Sequence, residues 1–277
     1  MQTPRLLILT VGLVALSACS GGEVGTGTLS VTIYGENYIE NGIPPEVFVD
    51  GWAIDFDQFL ITVEGISVAK DASSMPVLET AGQQIFDLTE HSNGAGHQVA
   101  QADGVDATAY GNAAYRVAPA KIDALAGNAS LAQVEAMVKG GWSMYLEGSA
   151  TKGSKVVTFH WGFKTATDFT DCASTARVEP DGTGTVQLTI HADHLFFDSL
   201  VSTTPDDTFD LIAAADDGDG EITADELSNV DITTLANYQV GNADVTNLWD
   251  FLKAQTHTMG HIDGEGHCHI IVIDSGK

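Results

Sequence analysis

The histidines of this chain lie where imidazole groups could bind a metal ion. The sequence contains nine histidines. Two of them, His191 and His194, flank Asp193 at the end of an alternating segment that is typical of a strand. Imidazole nitrogens suit copper and zinc, and a nearby carboxylate can be a further ligand or can orient an imidazole. The segment 191–194 therefore predicts a transition-metal site.

Further histidines could complete this site. His160 lies on the polar face of a second alternating segment, and it would lie opposite or diagonal to His191 if the two strands paired as an antiparallel hairpin. Four more histidines lie close to the C-terminus, and His261 and His267 are the candidates among them. The alternative is that all of these are polar surface residues. The predicted transition-metal ligands are His160, His191, Asp193, His194, His261 and His267.

An acidic, glycine-containing segment at 215–226 could bind a hard cation. It reads A-D-D-G-D-G-E-I-T-A-D-E. This resembles the calcium-binding loop of EF-hand proteins, in which oxygen ligands are spaced along twelve residues around a central glycine. By this resemblance Gly220 is the central glycine and Glu226 is the final, bidentate ligand. The resemblance implies calcium ligands at Asp216, Asp217, Asp219, Glu221, Thr223 and Glu226.

The loop departs from the EF-hand pattern at its first position, where Ala215 stands instead of an aspartate. Either the twelve-residue loop lacks its first carboxylate, or the loop is one residue shorter and Asp216 is the first ligand. A single loop of this kind in a secreted protein would bind calcium with a Kd on the order of 10⁻⁴ to 10⁻³ M, which indicates a structural ion. The other alternative is a solvated acidic turn that binds no ion.

The N-terminus predicts export and lipid attachment. Residues 1–18 have a short, positively charged start and an apolar run at 6–16, which is too short to span a bilayer as a helix. The segment ends in L-S-A followed by Cys19, which resembles the lipobox of bacterial lipoproteins. The resemblance implies cleavage before Cys19, acylation of this cysteine and, in a Gram-negative cell, an outer-membrane lipoprotein on the periplasmic face or the cell surface. Residues 19–28 would form a flexible tether.

Two cysteines remain in the mature chain, Cys172 and Cys268. An exported protein meets an oxidising compartment, where an even number of thiols favours a disulfide. A bond between these two cysteines would bring the C-terminal histidines towards His160. The alternative is that Cys268, which lies among histidines, is a metal ligand.

The charge of the chain limits its partners. Acidic residues outnumber basic residues by 38 to 11, which gives a formal net charge of −27. Such a surface repels phosphate backbones, which argues against binding to DNA or RNA. Hydrophobic residues make up 44% of the chain. This fraction is large enough to form a core, and it argues against a wholly disordered chain.

Alternation of apolar and polar residues with period two predicts a mainly β protein. The clearest strands are 157–163 and 186–190. A longer segment at 52–68 alternates with single-residue slips, which indicate bulges or bends. The polar, glycine-rich segment 91–108 predicts a long loop. A short helix is predicted at 130–139.

The pattern changes after His194, where alanine, leucine and aspartate replace the β-branched residues. Helices are predicted at 209–215, 223–227 and 244–255. The sequence therefore predicts an antiparallel β-sandwich at 29–200. The segment 201–277 is predicted to be a small helical EF-hand-like subdomain with a His-rich C-terminal strand.

The order of three segments resembles the periplasmic copper-associated MbnP β-sandwich proteins. The segments are D-G-W-A-I-D-F-D-Q-F-L-I-T-V from Asp50, F-D-L from Phe86, and F-H-W-G-F from Phe159, which Cys172 follows. Those proteins have four cysteines, whereas this chain has two beyond Cys19. The resemblance favours copper as the transition metal, and it assigns no ligand.

Three functions are consistent with these features. The first is a non-enzymatic metal-binding lipoprotein with structural calcium and a copper or zinc ion. The second is a calcium-stabilised adhesion or glycan-binding module, with exposed Trp52, Trp142 or Trp249 as a stacking platform. The third is a metal-dependent hydrolase in which an open histidine site activates water. Because the sequence contains no H-E-x-x-H motif, the third ranks last and the first is preferred.

Overall fold

Fourteen strands and a few short helices make up the described part of the chain. The computed structural model describes residues 25–273, so Cys19 and the predicted signal peptide lie outside it. The strands are β1 (Thr26–Tyr34), β2 (Ala53–Ala69), β3 (Leu78–Glu79), β4 (Gln84–Asp87), β5 (His97–Asp106), β6 (Asn112–Val117), β7 (Leu125–Ala126), β8 (Met144–Lys152), β9 (Lys155–Phe163), β10 (Ala166–Ala173), β11 (Thr183–Ile190), β12 (Glu221–Ile222), β13 (Gly260–Ile262) and β14 (His269–Ile273). The helices are α1 (Glu36–Asn41), α2 (Leu131–Gly140), α3 (Asp210–Ala213), α4 (Ala224–Ser228), α5 (Leu248–Gln255) and a 3₁₀-helix at Asp193–Phe196.

The strands form two sheets, so the prediction of a mainly β protein is confirmed. The smaller sheet has the order β13-β11-β1-β5, and the main path of the larger sheet is β12-β9-β8-β2-β6-β10-β14. Both sheets are mixed rather than wholly antiparallel, because β1 pairs parallel with β11 and β12 pairs parallel with β9. Parallel partners lie far apart in the sequence and need long connections, so they leave no hairpin signal.

The slips in the alternation of β2 correspond to irregularities in its pairing. One register shift lies between Phe56 and Gln58 in the pairing with β8, and another lies between Glu64 and Ser67 in the pairing with β6. At the second shift Gly65 has a φ of 59°, which favours glycine. The prediction of bulges in this segment is confirmed, and these bends accompany the pairing of one long strand with four others.

The segment 91–108 is not a loop throughout, because β5 occupies most of it. This strand pairs antiparallel with β1 at the edge of the smaller sheet. Only Val99 is buried among its ten residues. An edge strand with a single buried residue has almost no apolar alternation, so the sequence pattern did not reveal it.

One hydrophobic core includes residues from both sheets and from the C-terminal third of the chain. Trp161 of the larger sheet and Val31 of the smaller sheet belong to the same buried cluster as Phe209 and Phe251. In addition, β12, β13 and β14 are strands of the two sheets. The predicted division at residue 200 therefore does not separate two cores. The predicted tether also ends earlier than residue 28, because β1 begins at Thr26.

The helices are short, and four of them (α2, α3, α4 and α5) lie where the sequence predicts helices, whereas α1 and the 3₁₀-helix were not predicted. Ser130 and Gln133 form a capping box at the start of α2, and Gly141 ends that helix in the left-handed conformation. The predicted helices after residue 200 are present but shorter, as α3, α4 and α5. None of the helices within residues 25–273 is long and apolar enough to cross a membrane.

Cys172 and Cys268 form a disulfide, as predicted. The bond joins β10 to the segment that precedes β14, and it links residues 96 positions apart in the sequence. Next to the bond, the backbone N–H of Ala173 donates to the carbonyl of His267 at 3.1 Å. The alternative in which Cys268 is a metal ligand is therefore wrong.

Candidate metal centre

The rings of His191, His194 and His261 lie against one another. The ring centroids are 5.1 Å apart for His191 and His194, 4.5 Å for His191 and His261, and 5.2 Å for His194 and His261. His267 lies on the exposed side of this group, 6.2 Å from His261 between ring centroids. We call His191, His194 and His261 the three-histidine cluster.

Strand pairing between β11 and β13 brings these histidines together. His261 lies opposite Thr189 in the antiparallel register. Because side chains two residues apart in a strand share a face, His191 at the end of β11 is a diagonal neighbour of His261. The 3₁₀-helix that follows turns the chain back, so His194 contacts both rings.

Two polar atoms at the cluster are buried without a partner. Among the described residues, neither Oδ1 of Asp193 nor Nδ1 of His261 has a hydrogen-bond partner. A buried polar atom without a partner costs about 1–3 kcal/mol. Asp193, His191 and His194 can present ligand atoms that all lie within 4.8 Å of one another. His261 belongs to a second such group, with His191 and Glu265. A cation bound in either group would remove the cost of leaving the unpaired atom of that group without a partner.

In two histidines of the cluster, one ring nitrogen faces a backbone carbonyl oxygen. Nδ1 of His194 lies 2.8 Å from the carbonyl oxygen of Thr258, and Nε2 of His191 lies 3.4 Å from that of Gly264. A carbonyl only accepts hydrogen bonds, so we assign the ring proton to the nitrogen that faces it. This assignment leaves the lone pairs of His194 Nε2 and His191 Nδ1 available to a metal ion.

Burial favours the neutral, metal-binding form of two imidazoles of the cluster, those of His194 and His261. Burial lowers the pKa of His194. Burial, together with the neighbouring imidazoles of His191 and His194, lowers the pKa of His261 to about 4. A metal ion competes with protons for imidazole nitrogens. Lowered pKa values therefore favour metal binding at neutral pH.

Two carboxylates at the cluster were missed by the sequence analysis. Glu265 can present an oxygen within 4.8 Å of ligand atoms of His191 and His261. Oε2 of Glu36 lies 3.5 Å from Nδ1 of His191, and burial raises the pKa of the Glu36 carboxyl. The position of Glu265 four residues after His261 could have suggested it. No sequence signal connects Glu36 with residues so far along the chain.

His160 does not belong to the cluster, and the hairpin on which its prediction depended does not form. In the structure, β9 pairs with β8 and β12, whereas β11 lies in the other sheet. The strand β10, which lies between them in sequence, pairs with β6 and β14. His160 is an exposed residue whose Nδ1 lies 3.2 Å from a carboxylate oxygen of Glu221.

Two carboxylates of the acidic loop at 215–226 accept hydrogen bonds from backbone N–H groups of the same loop. Oδ1 of Asp216 accepts hydrogen bonds from the N–H groups of Gly218 and Gly220, at 2.9 and 3.0 Å. The two oxygens of Glu226 accept from the N–H groups of Asp217 and Thr223, at 2.9 and 2.7 Å. These backbone donors hold the pKa of Asp216 below its usual range, and backbone and hydroxyl donors do the same for Glu226.

The acidic loop begins at Asp216 rather than at Ala215. The N–H of Ala215 bonds to the carbonyl of Ile212, so Ala215 continues the turn that ends α3. Asp216, Asp217 and Asp219 can present oxygens within 4.8 Å of one another. This geometry favours the shorter of the two loops considered from the sequence.

The acidic loop lies on the larger sheet, away from the strands that carry the three-histidine cluster. Its end forms β12, which extends the sheet beside β9. The indole N–H of Trp161 donates to the carbonyl of Ile222 at 2.8 Å, and Ile222 is buried. Burial of this residue fixes the loop to the core.

The three tryptophans considered for a glycan-stacking platform pack against the protein itself. Trp52 is only 2% exposed. Trp142 stacks on Tyr145 and Trp249 stacks on Phe163, with ring centroids 4.7 and 4.8 Å apart. These contacts use ring faces that a sugar would need.

The described residues thus define a mainly β protein with one disulfide and groups of potential metal ligands. Comparison of the chain with protein-family models, curated proteins and solved structures gives no match.

Proposed function

We propose that this protein is a non-enzymatic lipoprotein of the cell envelope that binds a copper or zinc ion at the three-histidine cluster. One observation carries the proposal: three imidazoles are in ring contact beside two buried ligand atoms, on Asp193 and His261, that have no partner within residues 25–273. His267 and Glu265 lie at the exposed rim of the same site.

The donor atoms favour divalent copper or zinc. Imidazole nitrogens and carboxylate oxygens suit both ions, whereas thiolates, which favour softer metals, are excluded because both cysteines of the described chain are in the disulfide. The resemblance to the MbnP proteins supports copper. The ligand atoms fall into two groups that share His191, one with Asp193 and His194 and the other with His261 and Glu265. Each group offers imidazole nitrogens together with a carboxylate oxygen, a donor set that supports binding of copper or zinc.

Metal analysis of the purified protein tests this proposal. The full chain, isolated from the cell envelope without added metal, should contain about one equivalent of copper or zinc. Absence of both metals would contradict the proposal and would favour the adhesion module. Turnover of generic esters or phosphate esters by the metal-loaded protein would instead support the hydrolase.

The same proposal includes a lipid anchor, and replacement of Cys19 by serine tests it. The wild-type protein should partition into the detergent phase, because several acyl chains bind stably to a membrane. The Cys19→Ser variant should partition into the aqueous phase or retain its signal peptide. A Ser20→Ala variant, which keeps the cysteine, should behave like the wild type. Wild-type protein that stays in the aqueous phase would contradict lipidation.

We further propose that the acidic loop binds structural calcium through Asp216, Asp217, Asp219, Glu221, Thr223 and Glu226. At 10 mM calcium, about 10 to 100 times the Kd expected for such a loop, binding would stabilise the fold by about 1.4–2.7 kcal/mol. Magnesium should stabilise less, because it demands a tighter octahedral geometry.

Thermal unfolding with and without calcium checks this expectation. Glu226→Gln should lose the calcium-dependent rise in Tm, whereas Asp225→Asn, a matched change in the neighbouring residue, should keep it. Ala215→Asp should not tighten binding, since Asp216 already stands at the first position. Tighter binding by Ala215→Asp would show that the loop has twelve residues. The absence of any calcium effect in the wild type would leave a solvated acidic turn.

A further inference from the structure

Glu36 lies next to the three-histidine cluster although it is distant in the sequence. Its Oε2 is 3.5 Å from Nδ1 of His191, and the side chain of His191 is only 5% exposed. Two ligands that bind one tetrahedral ion at about 2.0–2.1 Å lie about 3.3 Å from each other. The observed separation therefore matches that between two ligand atoms of the same metal ion.

Both ring nitrogens of His191 face oxygen atoms. Nε2 lies 3.4 Å from the carbonyl oxygen of Gly264, and Nδ1 faces Oε2 of Glu36. A cation bound to Nδ1 would therefore lie within reach of the Glu36 carboxylate.

The backbone of Glu36 is held in an uncommon conformation. Its φ is 53°, in the left-handed region that favours glycine. Within residues 25–273, the other non-glycine residues with positive φ are all asparagine or aspartate, whose short side chains tolerate this region. The longer side chain of glutamate does not explain a positive φ in this way. Strained residues of this kind persist where the surrounding structure holds them, and they concentrate at functional sites.

We propose that Glu36 is a ligand of the metal ion, together with Nδ1 of His191. This inference rests on the proposed metal-binding function. Its carboxylate adds a negative charge beside the imidazole nitrogens, which offsets part of the charge of a divalent cation. Hard oxygen ligands favour Cu(II) or Zn(II) over Cu(I), which prefers soft sulfur ligands.

Replacement of Glu36 by glutamine tests the ligand role. The variant keeps the shape of the side chain and removes its charge. Copper(II) is the probe, because it binds a given nitrogen and oxygen site more tightly than zinc does. Cu(II) affinity, measured by competition with a chelator, should fall by about 100-fold or more, the upper end of the range for residues that only orient a ligand. The electron paramagnetic resonance spectrum of bound Cu(II) should also change. An unchanged spectrum, whatever the affinity, would overturn the proposal.

Replacement of Glu36 by glycine separates a ligand from a merely structural residue. Glycine relieves the left-handed strain, so the metal-free protein should gain thermal stability while its Cu(II) affinity falls. Asp181→Gly is the matched control, since Asp181 has a φ of 56° and lies in an exposed turn. This control reports strain relief alone and should leave Cu(II) affinity unchanged. A lower Tm for metal-free Glu36→Gly with unchanged Cu(II) affinity would overturn the proposal.

Different results of the Cu(II) affinity measurement would contradict the metal-binding function and the ligand role of Glu36. The double variant His191→Ala, His194→Ala provides the reference affinity of a protein without the site. Wild-type protein that binds Cu(II) no better than this variant would contradict the metal-binding function itself. Wild-type protein that binds Cu(II) tightly, with Glu36→Gln equally tight, would contradict only the role of Glu36.

Discussion

Replacing both His191 and His194 by alanine is expected to abolish copper or zinc binding by the full-length protein. The change removes two of the three imidazoles in the cluster and leaves His261 as the remaining ring. His261 and the exposed His267, whose ring centroids lie 6.2 Å apart, do not replace the close imidazole nitrogens that copper and zinc prefer. Elemental analysis of the purified variant should therefore find less than one tenth of the wild-type occupancy.

His160→Ala is the matched control for this experiment. His160 is also a histidine at a strand, but it pairs with Glu221 on the larger sheet. Its replacement should leave metal occupancy unchanged. The calcium-dependent rise in Tm should persist in the double variant, because the acidic loop presents only oxygens. Full occupancy in the double variant, or its loss in His160→Ala, would contradict the assignment of the site.

The metal should also be retained to lower pH than at a site of exposed histidines. An ordinary histidine has a pKa of about 6.5. Burial lowers the pKa of His194 and of His261, the latter to about 4. Protons therefore compete for these imidazoles only in more acidic solution. Occupancy measured across a pH series should remain high below pH ~6.5 and should fall as the pH approaches the lowered values.

Removal of the disulfide is expected to have the largest effect on stability. The bond closes a loop between residues 96 positions apart. For a loop of this length, the chain-entropy model gives a stabilisation of about 4–5 kcal/mol. For a protein of this size, about 1 kcal/mol changes Tm by roughly 2–4 °C. The double variant Cys172→Ala, Cys268→Ala should therefore unfold roughly 8–20 °C below the wild type in calorimetry.

A second measurement separates loss of the bond from loss of the side chains. Cys172 is fully buried, so alanine leaves a small cavity there in addition to removing the bond. Wild-type protein treated with a reductant keeps both sulfurs and loses only the bond. Its Tm should fall nearly as far as that of the double variant. A change of less than about 2 °C in both cases would contradict the expected stabilisation.

The sequence by itself determined the class of the fold and several of its local features. Period-two alternation indicated β9 and β11, slips in that alternation indicated the bends of β2, and Ser130 marked the start of α2. These features follow from interactions between near neighbours, which residue spacing records directly. The sequence also indicated the segment 191–194 and the acidic loop as candidate metal sites, because the ligand groups within each of them are close together in the chain.

Only the tertiary structure decided which distant groups meet. His261 reaches His191 because β13 pairs with β11, and Glu36 reaches it from 155 positions earlier in the sequence. His160 has the same residue type and the same kind of strand, yet it lies in the other sheet. Which strands pair with one another depends on the packing of one core, and this core includes residues from the whole described chain. Local periodicity tells which face of a strand is buried, but it does not encode which other strand lies beside it.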